Sequence, residues 1–209
     1  QRLVPFWKKR TSSSAMLTAV ILSPGTTSSM HCLKVSRNSI SPVCSLRIKL
    51  FSIINKSNNS EVEKKWLNKK YKQYGVNSKD LSTLKIRMDE IPTSLALAQA
   101  AKETGWGTSR FALEGNALFG QWTWSGEGLK PKDSDSSEGH KVMKFNILQA
   151  SVRAYQRNLN THKSYKELRK ARAELRSQGK ELDSIILSEY LDKYAETGKK
   201  YVEILQKII

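Results

Sequence analysis

An uncharged, alanine-rich run that follows Pro92 constrains the fold of this chain more than any other feature. Residues 94–101 read Ser-Leu-Ala-Leu-Ala-Gln-Ala-Ala and carry no charge. Pro92 suits the first turn of a helix, because the N–H that proline lacks would have no partner there. A helix that is apolar on all sides is a buried one, and small residues let neighbouring elements approach closely. The run therefore predicts a central buried helix that starts near Pro92 and is ended by Gly105 and Gly107.

Helical periodicity continues through most of residues 61–209, which predicts a mainly α domain. Besides the central helix, the predicted helices cover 61–74, 79–88, 108–113, 146–159, 164–177, 182–194 and 198–209. Residues 120–145 differ, because they contain glycines, a proline and a polar run before apolar and polar residues alternate over 141–145. This pattern predicts a small β-hairpin with a polar tip.

The charge distribution divides the chain near residue 61. Residues 1–60 contain nine lysines and arginines and no acidic residue, whereas the rest contains twenty-seven basic and nineteen acidic residues. We expect residues 1–60 to be a basic arm, either disordered or a targeting segment, and residues 61–209 to be the folded domain. The basic triplet 8–10 and the apolar run 15–22 resemble a secretory signal, although an organelle transit peptide has a similar composition. No stretch approaches the ~20 apolar residues that a membrane span needs.

The cysteines and histidines give no indication of a metal site. Cys32 and Cys44 both lie in the arm, so the folded domain needs neither a disulfide framework nor a zinc site built on cysteines. The three histidines, His31, His140 and His162, show no ligand spacing. We therefore expect no metal and no cofactor.

Glu103 is the most informative single residue. It falls in the last turn of the predicted central helix, where the helix dipole disfavours a carboxylate. Desolvation at such a position raises the pKa of a carboxyl group, which is what a general acid requires at neutral pH. The alternative is a solvated acid on the last turn, paired with Lys102 or Arg110. Position alone leaves both possibilities open.

Two motifs near the end of the central helix narrow the choice. The first is Glu-Thr-Gly-Trp-Gly at 103–107, and the second is Gly-Asn-Ala-Leu-Phe-Gly at 115–120. Together they resemble the glucosaminidase family, the bacterial cell-wall hydrolases of glycoside hydrolase family seventy-three. Residues 155–162 and 194–201 resemble the Bax-like branch of that family. The resemblance covers about 62–209 and departs from the family pattern in a threonine for the usual serine of the first motif and an inserted alanine in the second.

The resemblance implies a lysozyme-like, two-lobed helical fold with a small β-hairpin lobe. It also implies hydrolysis of the β-1,4 bond on the reducing side of N-acetylglucosamine in the glycan strands of peptidoglycan, in the cell envelope, either periplasmic or secreted. The family's essential acid falls on Glu103, whose role is to protonate the departing glycosidic oxygen. Lytic transglycosylase cleavage of the same polymer and a non-catalytic wall-binding module are the alternatives on this fold.

A second catalytic carboxylate is predicted less directly. In the family this group, where identified, comes from the hairpin lobe, and the acids of this chain in that region are Glu127, Asp133, Asp135 and Glu138. We favour Glu138 because it stands just before the returning strand. An inverting hydrolase needs its two carboxyl groups about 6.5–9.5 Å apart, whereas assistance by the substrate's own acetamido group needs no second carboxylate. Both mechanisms fit the sequence.

Aromatic and amide side chains in and beside the two motifs are the candidate substrate-binding groups. Trp106, Phe119, Trp122 and Trp124 offer apolar rings on which sugar faces stack, and Trp106 has the alternative of packing against the acid. Asn116 either hydrogen-bonds an acetamido group of the substrate or holds a turn.

Two tyrosines complete the predicted site. Tyr194 matches a family tyrosine that lies near the acid in relatives, where a phenol orients water or stabilises developing charge. Glu196 and Thr197 replace the residues that usually follow it, so a core tyrosine is the alternative. Tyr155 is a candidate substrate-binding residue, although its place on the apolar face of its helix favours the core.

The net charge of +17 raises nucleic-acid binding as a competing class. Acids and bases are mixed along the helices, however, and 163–170 and 174–180 indicate ordinary solvated faces. No nucleic-acid motif is present, so we expect no nucleic-acid partner, and positive charge also suits the carboxylates of peptidoglycan peptides. The sequence leaves the oligomeric state open.

Overall fold

The structure, a computed structural model, describes residues 42–123, 128–130 and 141–209. These residues form nine α-helices and three short strands. In chain order they are α1 (Pro42–Ile54), α2 (Glu61–Gln73), α3 (Leu81–Arg87), α4 (Thr93–Thr104), α5 (Arg110–Gly115), β1 (Trp122–Thr123), β2 (Gly128–Leu129), β3 (Lys141–Met143), α6 (Leu148–Thr161), α7 (Lys166–Ser177), α8 (Ser184–Ser188) and α9 (Lys199–Ile208). A 3-10 turn precedes α7 at Lys163–Tyr165 and another follows α8 at Glu189–Leu191. The predicted mainly α, lysozyme-like fold class with a small antiparallel β element is confirmed.

The chain forms two compact units. The described part of the first comprises 96–123, 128–130 and 141–155, and that of the second comprises 42–95 and 156–209. The boundaries fall inside two helices, one within α4 and one within α6. Both sequence motifs, 103–107 and 115–120, therefore belong to the first unit.

Side-chain caps explain where several helices begin. Ser60, Asp80, Ser109 and Asp183 precede α2, α3, α5 and α8, and each side chain accepts a hydrogen bond from a backbone N–H of the first turn. At α2 the Glu63 carboxylate also accepts from the Ser60 N–H at 2.9 Å, which completes a capping box.

The helix α4 is the predicted central helix. It begins at Thr93, directly after Pro92, and every residue from Leu95 to Ala101 except Leu97 is buried. Alanines supply four of these seven residues, so neighbouring backbone can approach the helix closely.

In the first unit the three strands form one antiparallel sheet in the order β1-β3-β2. Val142 of β3 lies opposite Trp122 of β1 on one side and Leu129 of β2 on the other. Its side chain is buried in a cluster with Ala117 and Phe145. The predicted hairpin corresponds to β2 and β3, and β1 adds a third strand that the alternation pattern did not predict.

In the second unit, α1 corrects the predicted domain boundary. We expected residues 1–60 to form an arm outside the folded domain, but Leu50 and Ile53 of α1 are only 0% and 1% exposed. Leu50 belongs to a core cluster that includes Tyr71 of α2 and Leu84 of α3. Residues 42–54 are therefore part of the packed unit, while 1–41 lie outside the described residues. Among the helices described, none is both long and apolar enough to cross a membrane.

A network of buried charges also holds the second unit together. The Asp89 carboxylate, 2% exposed, pairs with Arg47 of α1 at 3.3 Å and with Arg176 of α7 at 3.1 Å. Arg172, which is 1% exposed, lies 3.8 Å from the same carboxylate. Burial raises the pKa of the Asp89 carboxyl, but Arg172, Arg47 and Arg176 outweigh burial and hold the pKa below its ordinary value. The network thus keeps a buried carboxylate ionised.

Arg169 shows that one predicted solvated face is partly buried. It lies within 163–170 and is only 4% exposed. Its guanidinium donates to the carbonyl oxygens of Leu159, in the last turn of α6, at 2.9 Å and of His162, just after that helix, at 2.8 Å. The prediction of an ordinary solvated face is wrong at this residue, because its charge is used to satisfy buried carbonyl groups.

Candidate active site

Glu103 lies in the last turn of α4 and is half-buried. On the same turn Ala100, Ala101 and Thr104 are buried, whereas Lys102 is exposed. The carboxylate therefore lies at the edge of the packed interior, which is a different environment from a fully solvated helix face.

Three successive residues with positive φ follow α4. The φ angle is 56° at Gly105, 61° at Trp106 and 80° at Gly107. The Trp106 N–H donates to the Ala101 carbonyl at 2.8 Å, the Schellman pattern of a helix C-terminus. Left-handed backbone is strained for a residue as bulky as tryptophan, and such strain is concentrated at functional sites. The turn explains why the first motif has two glycines. It also holds the backbone of Trp106 in a strained conformation.

The buried hydroxyl of Thr104 holds this turn together. It donates to the Ala100 carbonyl at 2.6 Å and accepts from the Gly107 N–H at 2.8 Å. The Thr104 carbonyl accepts a further hydrogen bond from the Ser109 N–H at 2.9 Å. A serine hydroxyl has the same donor and acceptor, so the threonine at this position of the first motif preserves its chemistry.

Gly120 brings the second motif against Glu103. A Cβ atom at position 120 would lie 3.2 Å from Glu103 Oε2, which is tighter than most contacts that a Cβ makes. The φ angle of Gly120 is 58°, a conformation that also favours glycine. The two motifs of the sequence therefore meet at the Glu103 carboxylate.

The segment before Gly120 is tied to the rest of the first unit by two polar contacts. Asn116 ends α5 in a left-handed conformation, and its side-chain amide donates to the Phe145 carbonyl at 2.8 Å. The Leu118 N–H donates to the hydroxyl of Ser151, a fully buried residue of α6, at 3.1 Å. Asn116 thus holds a turn in this structure, and its contact with substrate stays a prediction.

Phe119 and Tyr155 form a buried stack rather than an exposed platform. Their ring centroids are 3.9 Å apart with an angle of 11° between the planes, and the residues are 2% and 1% exposed. The Tyr155 hydroxyl donates to Oε1 of Gln99 on α4 at 2.7 Å. We predicted both aromatic residues as substrate-binding; the structure places them beneath the surface, where packing is their observed role.

Among the aromatic residues of the predicted site that the structure describes, Trp106 and Trp122 are the most exposed. They are 56% and 46% exposed, respectively. Trp106 follows Glu103 by three residues, and Trp122 follows Gly120 by two. Trp106 is more than half exposed, and its packing against the acid stays a prediction.

Tyr194 belongs to the second unit and is half-buried there. Its ring stacks on Tyr201 at 5.5 Å with an angle of 7°, and it makes a tilted contact with Tyr165 at 6.2 Å. This aromatic cluster matches the predicted alternative of a packed tyrosine, and a catalytic role of Tyr194 stays a prediction.

Several predicted residues lie outside the described part of the chain. They are Trp124 and the four acids of the hairpin region, Glu127, Asp133, Asp135 and Glu138. The choice of Glu138 as the second carboxylate stays a prediction.

Gln99, Thr104 and Ser151 contribute to the site but were not predicted to do so. All three are fully buried polar residues. Thr104 and Ser151 form hydrogen bonds that hold the two motifs, and Gln99 accepts the hydrogen bond of Tyr155. The sequence could have indicated a role for Gln99, because it is the one amide in the apolar run of α4. A polar group in a buried run requires a hydrogen-bond partner.

Comparison with known proteins is consistent with this geometry. Residues 78–209 match the family model described as glucosaminidase, mannosyl-glycoprotein endo-beta-N-acetylglucosaminidase. Protein bax of Escherichia coli (strain K12) is 38% identical over 120 residues, which are 57% of this chain and 42% of that protein. The match therefore spans less than half the length of this relative. No solved structure matches the chain significantly.

Proposed function

The chain belongs to the glucosaminidase family, and from this premise we propose that it is an endo-β-N-acetylglucosaminidase acting on peptidoglycan, with Glu103 as the general acid. The bond cleaved is the β-1,4 bond on the reducing side of N-acetylglucosamine. The observation that carries the proposal is the meeting of both motifs at one half-buried carboxylate, with the Gly120 backbone beside Glu103 Oε2.

In this reaction protonated Glu103 donates its proton to the glycosidic oxygen. The bond from that oxygen to the anomeric carbon breaks, positive charge develops on the sugar ring, and the muramic acid residue leaves with a free hydroxyl. Water then adds to the anomeric carbon and loses a proton, which gives a reducing N-acetylglucosamine end. A general acid at the edge of the interior is suited to this step, because the proton is transferred where bulk water competes little.

The group that assists the attack has two candidates. Glu138 would serve as the base of an inverting mechanism, for which the two carboxyl groups are about 6.5–9.5 Å apart. The substrate's acetamido group would otherwise attack the anomeric carbon first, and water would then open the resulting ring. The segment between β2 and β3 contains acidic residues, and this sequence feature is the support for Glu138 as the base.

Trp106 and Trp122 are the proposed sugar-binding residues. Exposed indole rings, close in sequence to Glu103 and Gly120, provide apolar faces against which the C–H faces of pyranose rings pack. The strained backbone of Trp106 supports this role, because its cost of order 1–3 kcal/mol is retained in the fold.

The charge of the chain suits the same substrate. A net charge of +17 attracts a polymer whose peptides carry carboxylates and steers association at low ionic strength. A wall substrate requires action outside the cytoplasm, and we propose the periplasm or the cell surface as the location.

The decisive assay is digestion of purified peptidoglycan followed by mass spectrometry of the new chain ends. Wild type should release reducing N-acetylglucosamine ends, and Glu103→Gln should lower the rate by about 10²–10⁴-fold, the usual contribution of a general acid. Glu114→Gln is the matched control, because Glu114 is an exposed acid of the same unit whose ion pair with Arg110 lies at the surface. Circular dichroism of all three proteins checks that the fold is retained.

The ends that appear separate the competing functions. Anhydro-muramic ends would make the protein a lytic transglycosylase, and full activity of Glu103→Gln would remove Glu103 from the mechanism. A mannosyl-glycoprotein assayed in parallel tests the substrate that the family description names. Binding without cleavage by wild type would indicate a non-catalytic wall-binding module.

The same assay tests the second carboxylate. Glu138→Gln should lose most activity if Glu138 is the base, whereas Asp133→Asn, a neutralised acid of the same segment, should not. Equal activity of both variants and wild type would exclude Glu138 and Asp133 and leave Glu127, Asp135 or the substrate's acetamido group.

A further inference from the structure

We propose that Tyr155 is a positioning residue that fixes Glu103 relative to the backbone of Gly120, without touching the substrate. The inference rests on the proposed function in that it concerns the same acid. It replaces the substrate-binding role that the sequence suggested for Tyr155 and Phe119.

The first connection runs from Tyr155 to the helix that carries the acid. Its hydroxyl donates to Gln99 Oε1 at 2.7 Å, and the two residues are 1% and 0% exposed. Gln99 precedes Glu103 by four residues on α4, so the two side chains lie one turn apart on the same side of the helix. Tyr155 therefore holds α6 to α4 one turn before the acid.

The second connection runs from Tyr155 to the loop that borders the acid. Its ring stacks on Phe119 with centroids 3.9 Å apart. Phe119 directly precedes Gly120, where a Cβ would lie only 3.2 Å from Glu103 Oε2. The bond from the Leu118 N–H to Ser151 holds the same loop to α6 a few residues before Tyr155.

These contacts close a ring. It passes from Glu103 along α4 to Gln99, across the hydrogen bond to Tyr155, through the stack to Phe119, and along the chain to Gly120 beside the carboxylate. A close-packed interior transmits displacement instead of absorbing it, so a shift at Tyr155 changes the clearance around Glu103. Misplacement of a catalytic group by about 1 Å costs on the order of a hundredfold in rate, and smaller shifts cost proportionately less.

The test compares two tyrosines that lose only a hydroxyl. Tyr155→Phe should lower kcat on peptidoglycan about five- to tenfold, the effect of one buried hydrogen bond, with KM within about twofold of wild type. Tyr74→Phe is the control, because Tyr74 is a buried core tyrosine of the other unit, 7% exposed. Both are assayed well below their unfolding temperatures, so that a simple loss of stability does not lower kcat.

A double variant checks that the hydrogen bond is responsible. Gln99→Met removes the acceptor, and with Tyr155→Phe it leaves an apolar pair of similar shape. The double variant should be no slower than Tyr155→Phe alone. If the fold-loss of kcat in the double variant equals the product of the fold-losses in the two single variants, the two residues act independently and the coupling is contradicted.

A measurement without substrate keeps the inference separate from the proposed function. The backbone amide resonances of Glu103 and Gly120 should shift in Tyr155→Phe and stay unchanged in Tyr74→Phe. Wild-type resonances together with wild-type kcat in Tyr155→Phe would overturn the inference. If wild type fails to cleave peptidoglycan while the Glu103 and Gly120 resonances move as expected, the proposed function fails and the positioning role stands.

Discussion

At the scale of single residues, Gly120 is the position where one added carbon atom should matter most. A methyl group there would lie 3.2 Å from Glu103 Oε2 and would have to displace the carboxylate or the loop. We expect Gly120→Ala to reduce kcat/KM on peptidoglycan at least tenfold, because a general acid must stay within hydrogen-bond reach of the oxygen that it protonates. The stability cost should be modest, about 1 kcal/mol for alanine at a positive φ.

Gly179 provides the matched control for this variant. Its φ angle is 66°, close to the 58° of Gly120, but a Cβ there would meet nothing within 4 Å among the described residues. Gly179→Ala should therefore show a similar loss in urea-induced unfolding and no loss of rate. Equal rates for the two variants would show that the contact with Glu103 is irrelevant to catalysis.

The residues of the site differ in how far the sequence could predict them. Glu103 could be predicted as the acid because it opens the first motif and the second motif follows at short distance. The burial of Phe119 could not be predicted, since an aromatic ring in a motif serves equally well in a core or against a sugar, whereas the apolar helix face that carries Tyr155 already favoured the core for that residue. What decides is the hydrogen bond to Gln99, whose position in the sequence is 56 residues from Tyr155.

At the scale of elements, the turn after α4 depends on the Thr104 hydroxyl. Thr104→Val keeps the shape but removes the acceptor of the buried Gly107 N–H, so we expect a loss of about 1–3 kcal/mol in the free energy of unfolding. Thr104→Ser should recover most of that loss, because serine supplies the same hydroxyl. Urea-induced unfolding of the three proteins measures the difference.

Thr108 of the same turn is the control for Thr104. Its exposed hydroxyl donates to the Gly105 carbonyl at 2.7 Å, and water can replace it. Thr108→Val should change stability by less than about 0.5 kcal/mol, as expected for surface substitutions. An equal loss in both valine variants would mean that the Thr104 bonds do not hold the turn.

The elements themselves were mostly predictable, because capping residues and glycines mark their ends in the sequence. The helix α2 spans Glu61–Gln73 where 61–74 was expected, and α4 ends where Gly105 begins the turn. The helix α1 was missed because its acid-free stretch was assigned to the basic arm, although Pro42, its first residue, follows Ser41 and is a helix start signal. The strand β1 was missed because two residues are too few to show alternation.

At the scale of the whole molecule, the buried charges of the second unit were the least predictable feature. Arg169, Arg172 and Arg176 are spaced three and four residues apart along α7, as residues of one helix face are. Charged residues on a helix are usually solvated, so this spacing alone did not indicate burial. Only the fold brings Arg172 and Arg176 to Asp89, which is more than eighty residues away in the chain.

The extent of the folded domain follows from the same contacts and gives the last prediction. The family match begins at residue 78, yet α1 contributes Leu50 to the core and Arg47 to the Asp89 pair. A chain starting at residue 56 should lose several kcal/mol of stability relative to one starting at 42, since burying a leucine or isoleucine contributes about 1.5–3 kcal/mol. Leu50→Ala in the longer chain should lose about 2–5 kcal/mol in urea-induced unfolding. If both truncated chains unfold at the same urea concentration, α1 is an appendage and the domain begins after it.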